Sequence, residues 1–490
     1  MAPSSHPFVG TSHSDRGQGR DVGYRRSTDT TECPIHTEDV PISVHDSAAA
    51  SPERPFVAPH DDAAAHRRPL LPADDPFYRA PGGFEDTVPG TVLRSRDVTL
   101  AFLGVVRQRI RATQLAFRST DSQGEPMVAV TTVLLPPGRD RNAECPIVSY
   151  QCAIDAITGR CFPSYALRLR ARAVGALPQF EFLLIAALLA EGWAVSIPDH
   201  EGPRGLWGIP REPGHIVLDG VRAALDHAPL GLRHDAPVGF WGYSGGGLAS
   251  AWAAEMYAEH APELNVVGAV LGSPVGDLGN TYIRLNGGLF SGLPALVVGA
   301  LQHVYPDLQR IIDRHTTPRG KIALARLQRA TTVEAVLRFM FTDMDDMLDR
   351  PLAKILATPE VRAVFDEIRL GRSAPAMPVL IVQAVNDRIV SVDDIDALAA
   401  AYAAGGTSVT YHRDRFSEHM LMHPMAAPTA LRWLRERIEG RPIDENRQRT
   451  TWPTLLNPST FRGVLRLGAI SARVVTGRTI GRRELSELDR

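Results

Sequence analysis

The chain is 490 residues long, 44% hydrophobic and carries a formal net charge of -2. That is enough apolar content for a large buried core and too little charge to favour nucleic acid as a partner. No stretch reaches the roughly 18 consecutive apolar residues of a membrane-spanning helix, because the most apolar segments, 182–189 and 293–301, are short and bounded by polar residues; a soluble globular protein is expected.

Residues 1–72 are rich in Ser, Asp, His, Arg and Pro without apolar periodicity, so they cannot repay the entropy of folding and are expected to be disordered. They show neither the apolar stretch nor the cleavage site of a secretory signal, and no apolar region follows Arg25-Arg26, which leans toward a cytoplasmic protein. The four cysteines, Cys33, Cys145, Cys152 and Cys161, are too few for a disulfide framework and lack zinc spacing. Cys152 and Cys161 are the one pair worth testing for a bridge. From residue 73 onward, β-branched apolar runs at 127–135, 147–151, 194–198, 238–243, 266–272, 379–384 and 408–412 alternate with helical patterns. Such alternation predicts an α/β fold with a mostly parallel central sheet and helices on both faces. Between 276 and 374 the strand signal vanishes and helical patterns at 323–341 and 352–368 replace it. The chain then reads as a tail (1–72), a first core part (73–275), a helical cap or lid (276–374), a second core part (375–441) and a basic C-terminal tail (442–490).

Within this order, Gly242-Tyr243-Ser244-Gly245-Gly246 follows the apolar run 237–241 and precedes an alanine-rich helical segment. A G-x-S-x-G between strand and helix is the setting of a nucleophile elbow, where small residues two before and two after the serine let strand and helix approach. Ser244 is therefore the candidate nucleophile; a plain glycine-rich turn is the alternative. In α/β sheets functional groups sit beyond the carboxyl ends of strands, and Asn386-Asp387 lies there, after 378–383. Asp387 can orient a histidine; Asp393, Asp394 and Asp396 look instead like the start of the next helix. The base should lie between the last strand and the last helix, a window holding His419 and His423. His419, nearer the strand end, is preferred and His423 is the reserve. The order Ser244, Asp387, His419 is that of the α/β-hydrolases.

The segments Asp75-Pro76-Phe77-Tyr78, Cys161-Phe162-Pro163-Ser164-Tyr165, Pro198-Asp199-His200-Glu201-Gly202-Pro203 and the elbow itself, with Asn386-Asp387 and the stretch from His419 to Trp433-Leu434, resemble the secretory lipase family typified by fungal lipase A. The resemblance covers about residues 73–441. It implies an α/β-hydrolase fold with a helical cap, a triacylglycerol or other carboxylic ester hydrolase, and Ser244, Asp387 and His419 as its triad. It also implies that Asp155, in the loop after Ser149-Tyr150-Gln151, forms the oxyanion hole with the Gly245 N–H, and that the protein is extracellular. The family often bridges the cysteine of the C-x-P-S-Y segment to a later one, but none follows Cys161.

A serine hydrolase of this kind needs no metal or organic cofactor, and the expected partner is a lipid ester or a small-molecule ester. The apolar residues Leu285, Leu289, Phe290, Leu293, Leu296, Val297 and Val298 suit an acyl-binding wall or an ordinary core. The segment 461–483 mixes apolar residues with six arginines, a composition suited to an anionic lipid surface, although its glycines weaken a helix. A short-chain carboxylesterase, an acyltransferase, a peptidase and a non-catalytic receptor use of the fold are the competing readings.

Overall fold

The computed structural model describes residues 68–139, 144–443, 447–451, 454–456 and 458–480. Most of the segment read as an N-terminal tail, with Cys33, lies outside them. Among the described residues twelve strands form in chain order: β1 (Val92–Val98), β2 (Ala101–Phe102), β3 (Val106–Arg107), β4 (Arg111–Thr120), β5 (Pro126–Leu135), β6 (Ile147–Gln151), β7 (Ala194–Pro198), β8 (Val238–Tyr243), β9 (Val266–Gly272), β10 (Val379–Ala384), β11 (Val409–Asp414) and β12 (Arg447–Thr451). Ten of them make one sheet in the order β1-β4-β5-β7-β6-β8-β9-β10-β11-β12, while β2 and β3 pair separately. From β7 to β12 across the sheet all neighbours are parallel, whereas β1, β4 and β5 join antiparallel at the other edge.

The central strands β6, β7, β8 and β10 are buried at every position, which is why their sequences are mostly apolar rather than alternating, with Ser149, Gln151, Ser196 and Gln383 as buried polar members. One face packs against the helices Glu212–Asp226 and Gly245–His260 through Ile216, Val221, Phe240 and Leu271. The other packs against Pro178–Ala190, His419–Ile438 and Pro458–Val475 through Phe182, Trp241, Val382 and Leu434. The expected mostly parallel sheet with helices on both faces is thus present.

The polar strands were harder to foresee. β4 carries buried Thr113 and Gln114, whose side chains are satisfied by Asp97 Oδ1 at 2.7 Å and by the Ser164 carbonyl at 2.5 Å, so they enter the core without orphaned groups. β12, Arg-Gln-Arg-Thr-Thr, has no apolar residue and is held by parallel main-chain pairing with β11. Two helical patterns also divide. Residues 323–341 form Pro318–Leu327 and Thr332–Phe339, because Glu334 Oε2 accepts the Thr331 N–H at 2.9 Å and starts a second helix there. Residues 352–368 break at Thr358-Pro359, where proline opens Pro359–Glu367. Seven helices in all lie between β9 and β10.

Within the segment read as a basic C-terminal tail, 442–490, the described residues form a strand on the sheet edge and a helix, Pro458–Val475, that buries Leu467, Ile470 and Val474. Its glycines have a use in part: a Cβ on Gly463 would collide with Pro428 of the neighbouring helix, so glycine permits that close approach. Cys145, Cys152 and Cys161 are buried free thiols, and Cys152 and Cys161 are not bridged. None of the described helices is long and apolar enough to cross a membrane.

Candidate active site

β8 ends at Tyr243, and Ser244 turns the chain with φ 55° and ψ -119° before the helix Gly245–His260 begins. This conformation costs a non-glycine residue about 1–3 kcal/mol. It is held because the Ser244 N–H donates to the Gly272 carbonyl of β9 at 2.8 Å. A Cβ on Gly242 would collide with the Gly246 carbonyl, and one on Gly246 with the carbonyl of Gln151 at the end of β6. Glycine at both flanks is therefore a steric requirement of the turn.

The loop after β10 brings Asp387 to the same edge, 2% exposed. Its Oδ1 accepts the N–H groups of Ile389 and Val390, both at 2.8 Å, and its Oδ2 accepts Gln383 Nε2 at 3.1 Å. His419, the first residue of the helix His419–Ile438, approaches Asp387 Oδ2 with Nδ1 at 2.7 Å and Ser244 Oγ with Nε2 at 3.0 Å. Burial pushes the Asp387 carboxyl up, but the charge and hydrogen bond of His419 and the two main-chain donors outweigh it and hold the group below the usual carboxylate range. An ionised Asp387 facing Nδ1 favours the tautomer whose Nε2 is free to take a proton from Ser244.

The rival residues lie elsewhere. His423, one turn along the helix, stacks on the Tyr243 ring at 4.2 Å and meets Tyr150 Oη at 3.3 Å; burial, with His419 beside it, pushes its pKa down to about 3. Asp394 accepts Asn280 Nδ2 at 2.7 Å, Asp396 accepts the Tyr411 hydroxyl at 2.8 Å, and Asp393 lies in the first turn of the next helix, Val392–Ala404.

Asp155 stands beyond β6 with a positive φ of 45°, and a Cβ on Gly245 would collide with its Oδ1. Its main-chain N–H donates to Glu201 Oε1 at 2.8 Å. That donor is already engaged, which leaves the Asp155 carboxyl as the group facing Gly245. Burial pushes this carboxyl up to about 7, with His419 opposing, so near neutral pH much of it is the neutral acid that can donate. The Gly245 N–H opens its helix and has no acceptor within it.

Glu201 and Tyr243 were not assigned roles from sequence. Glu201 is 1% exposed and fixes the Asp155 loop, while the Tyr243 hydroxyl donates to the His419 carbonyl at 2.7 Å. Glu201 lies in the quoted segment Pro198–Pro203 and Tyr243 in the elbow itself, so position was legible while purpose was not. The helical insertion reaches both site loops: Arg284 Nη2 donates to the Asp387 carbonyl at 2.5 Å, and Thr332 Oγ1 to the Ile154 carbonyl at 2.8 Å. Between insertion and Ser244 lies a cavity lined almost wholly by apolar side chains, including Leu285, Leu293, Val297, Val298, Met344 and Ile355. Of the apolar residues singled out from sequence, Leu289, Phe290 and Leu296 are not among its lining.

This sheet, with a strained serine at the strand-to-helix turn, is an α/β-hydrolase. The secretory lipase family matches residues 167–446. A Mycobacterium tuberculosis protein named a probable inactive lipase is 59% identical over 427 residues, covering 87% of this chain and 96% of that one. Lipase A of Arthroderma benhamiae is 34% identical over 447 residues, covering 89% and 94%. The crystal structure of Candida antarctica lipase A superposes with a TM-score of 0.74 at 24% identity, covering 83% of this chain and 95% of that chain. The chain belongs to the secretory lipase family.

Proposed function

We propose that the protein hydrolyses carboxylic esters of lipids, triacylglycerols among them, through an acyl-enzyme on Ser244. The observation that carries this reading is the chain of contacts from Asp387 Oδ2 through His419 to Ser244 Oγ, at 2.7 and 3.0 Å. Ser244 Oγ attacks the ester carbonyl while His419 Nε2 takes its proton, and Asp387 stabilises the imidazolium. The negative charge that forms on the carbonyl oxygen is met by the Gly245 N–H and the neutral Asp155 carboxyl. Collapse of the tetrahedral intermediate expels the alcohol, which His419 protonates; water then repeats the cycle and releases the acid.

The apolar cavity beside Ser244 supports a long acyl chain, because such a wall binds methylenes without needing polar partners. Phe461, Leu465 and Val475, all more than half exposed on the terminal helix beside Arg462, support contact with an anionic lipid surface. Since that helix also packs inward, Phe461→Asp with Leu465→Asp is the suitable probe: unchanged sedimentation with anionic vesicles removes the surface contact from the proposal. One relative carries the name probable inactive lipase, so the test is activity itself. Purified protein is assayed on p-nitrophenyl esters from acetyl to palmitoyl and on emulsified triacylglycerol, beside Ser244→Ala. Turnover on long chains that drops by about four to six orders of magnitude in the variant is expected. Turnover only on short soluble esters makes it a carboxylesterase, a new ester formed from added alcohol makes it a transferase, and no turnover leaves a ligand-binding use of the fold.

A further inference from the structure

The loop that carries Glu201 goes on to place Trp207. It folds through Gly202, Gly205 and Gly208, all at positive φ, and a Cβ on Gly205 would collide with the Ile157 carbonyl; the loop is therefore pressed against the segment that holds Asp155. Trp207 is 5% exposed and lines the apolar cavity together with Ser244. Its Nε1 is buried with no hydrogen-bond partner, and so is Asp155 Oδ1. Both crowd the same point: a Cβ on Gly245 would strike Asp155 Oδ1 and stand 3.0 Å from Trp207 Nε1. A buried donor and a buried acceptor left unmet side by side call for an explanation.

We propose that Trp207 is a positioning residue, whose indole N–H donates to Asp155 Oδ1 when substrate is bound and so leaves the acid proton on Oδ2, the oxygen that would then donate to the oxyanion. This rests on the proposed hydrolase reading and on Asp155 as its second oxyanion donor. The chemistry follows from the donor inventory. An indole nitrogen can only donate, so the oxygen it meets must accept, and in a neutral carboxylic acid the proton is then on the other oxygen. Glu201, which takes the Asp155 main-chain N–H, fixes the loop but cannot make this choice. Hydrogen bonds of this kind are commonly long before substrate is bound. The charged and titratable groups that face Asp155 are His419 across the nucleophile and Glu181 and Glu201 behind it; Trp207 itself does not titrate.

The test compares kcat against pH on a soluble nitrophenyl ester for wild type, Trp207→Phe, Asp155→Ala and the double variant. Phenylalanine keeps an aromatic wall and removes the N–H. Trp207→Phe is expected to lower the plateau kcat about tenfold with KM nearly unchanged. Losing a donor that favours the carboxylate raises the Asp155 pKa, so the alkaline limb should move upward by roughly half a pH unit. In the Asp155→Ala background the same substitution should add nothing. Wild-type kcat and an unmoved limb in Trp207→Phe overturn the proposal, as does an effect that persists undiminished without Asp155. If Trp207→Phe does not fold, 3-benzothienylalanine at position 207 retains the ring shape without the N–H and gives the same readout. Failure of the underlying reading looks different: Asp155→Ala would then match wild type, or wild type would show no turnover dependent on Ser244.

Discussion

On one side of Ser244, both carboxylate oxygens of Asp387 and both ring nitrogens of His419 have partners within 3.1 Å. On the other, Asp155 Oδ1 and Trp207 Nε1 are buried and have none. The difference follows from when each side works in the proposed reaction. Proton transfer needs its geometry before substrate arrives, so the Asp387 and His419 side is complete in the free protein. The charge that Gly245 and Asp155 would stabilise exists only after attack, so the Trp207–Asp155 contact that would orient the acid proton need form only then, when it favours the transition state over the substrate.

The sharpest way to break this comparison is to remove the base. His419→Ala should lower kcat by about four to six orders of magnitude, as Ser244→Ala does, because the two act as a unit. His423→Gln should stay within about tenfold of wild type, since its side chain meets Tyr150 and Tyr243 rather than Ser244. Steady-state kinetics on one nitrophenyl ester decides between them; an equal loss in both variants would mean that His423 shares the work. Asp387→Asn comes next, at about 10⁴-fold in kcat. The amide can present a donor to Nδ1, which reverses the tautomer and turns Nε2 away from its role as acceptor, while the Ile389 and Val390 N–H groups still hold its carbonyl oxygen.

The Asp155 side should reveal itself through pH. Because burial raises the Asp155 carboxyl to about 7, it is neutral and able to donate below that pH, and above it becomes an anion that in the proposed reaction would repel the oxyanion. Activity should therefore fall as pH rises through about 7. Asp155→Asn keeps a donor but does not titrate, so its plateau should drop only about tenfold while the alkaline limb disappears. A pH-rate profile measures both, and a limb that survives in the variant assigns the titration to another group.

What was legible from sequence follows the same division. Ser244, Asp387 and His419 sit where topology forces them, at strand ends read from the apolar runs of β8, β10 and β11, and the structure brings their side chains together. β4, β12 and the terminal helix were not legible, because Gln114, the Arg-Gln-Arg-Thr-Thr run and Gly463 are explained by partners distant in sequence. Asp155 was named through family resemblance alone. The engagement of its N–H by Glu201, which in the proposed reaction leaves the donor role to its side chain, depends on a loop nearly fifty residues away.

The smallest effect is expected at Tyr243, where the comparison can be sharpened rather than broken. Its hydroxyl donates to the His419 carbonyl at 2.7 Å and accepts from Ser273 Oγ at 2.9 Å, so it anchors the main chain of the base without touching the reacting atoms. Tyr243→Phe retains the ring stacked on His423 but removes one of the donors to the His419 carbonyl, which also opens the ladder of its own helix, and leaves Ser273 Oγ without its acceptor, a loss of about 0.5–1.5 kcal/mol in stability. With Asp387 still gripping the imidazole, kcat should fall only about three- to tenfold, and the alkaline limb should not move because Asp155 is untouched. Thermal unfolding and a pH-rate profile on the same sample separate the two consequences. A fall beyond about a hundredfold would show that the main-chain anchor, and not the Asp387 contact alone, sets the position of His419; loss of stability with kcat unchanged would show that Asp387 is sufficient.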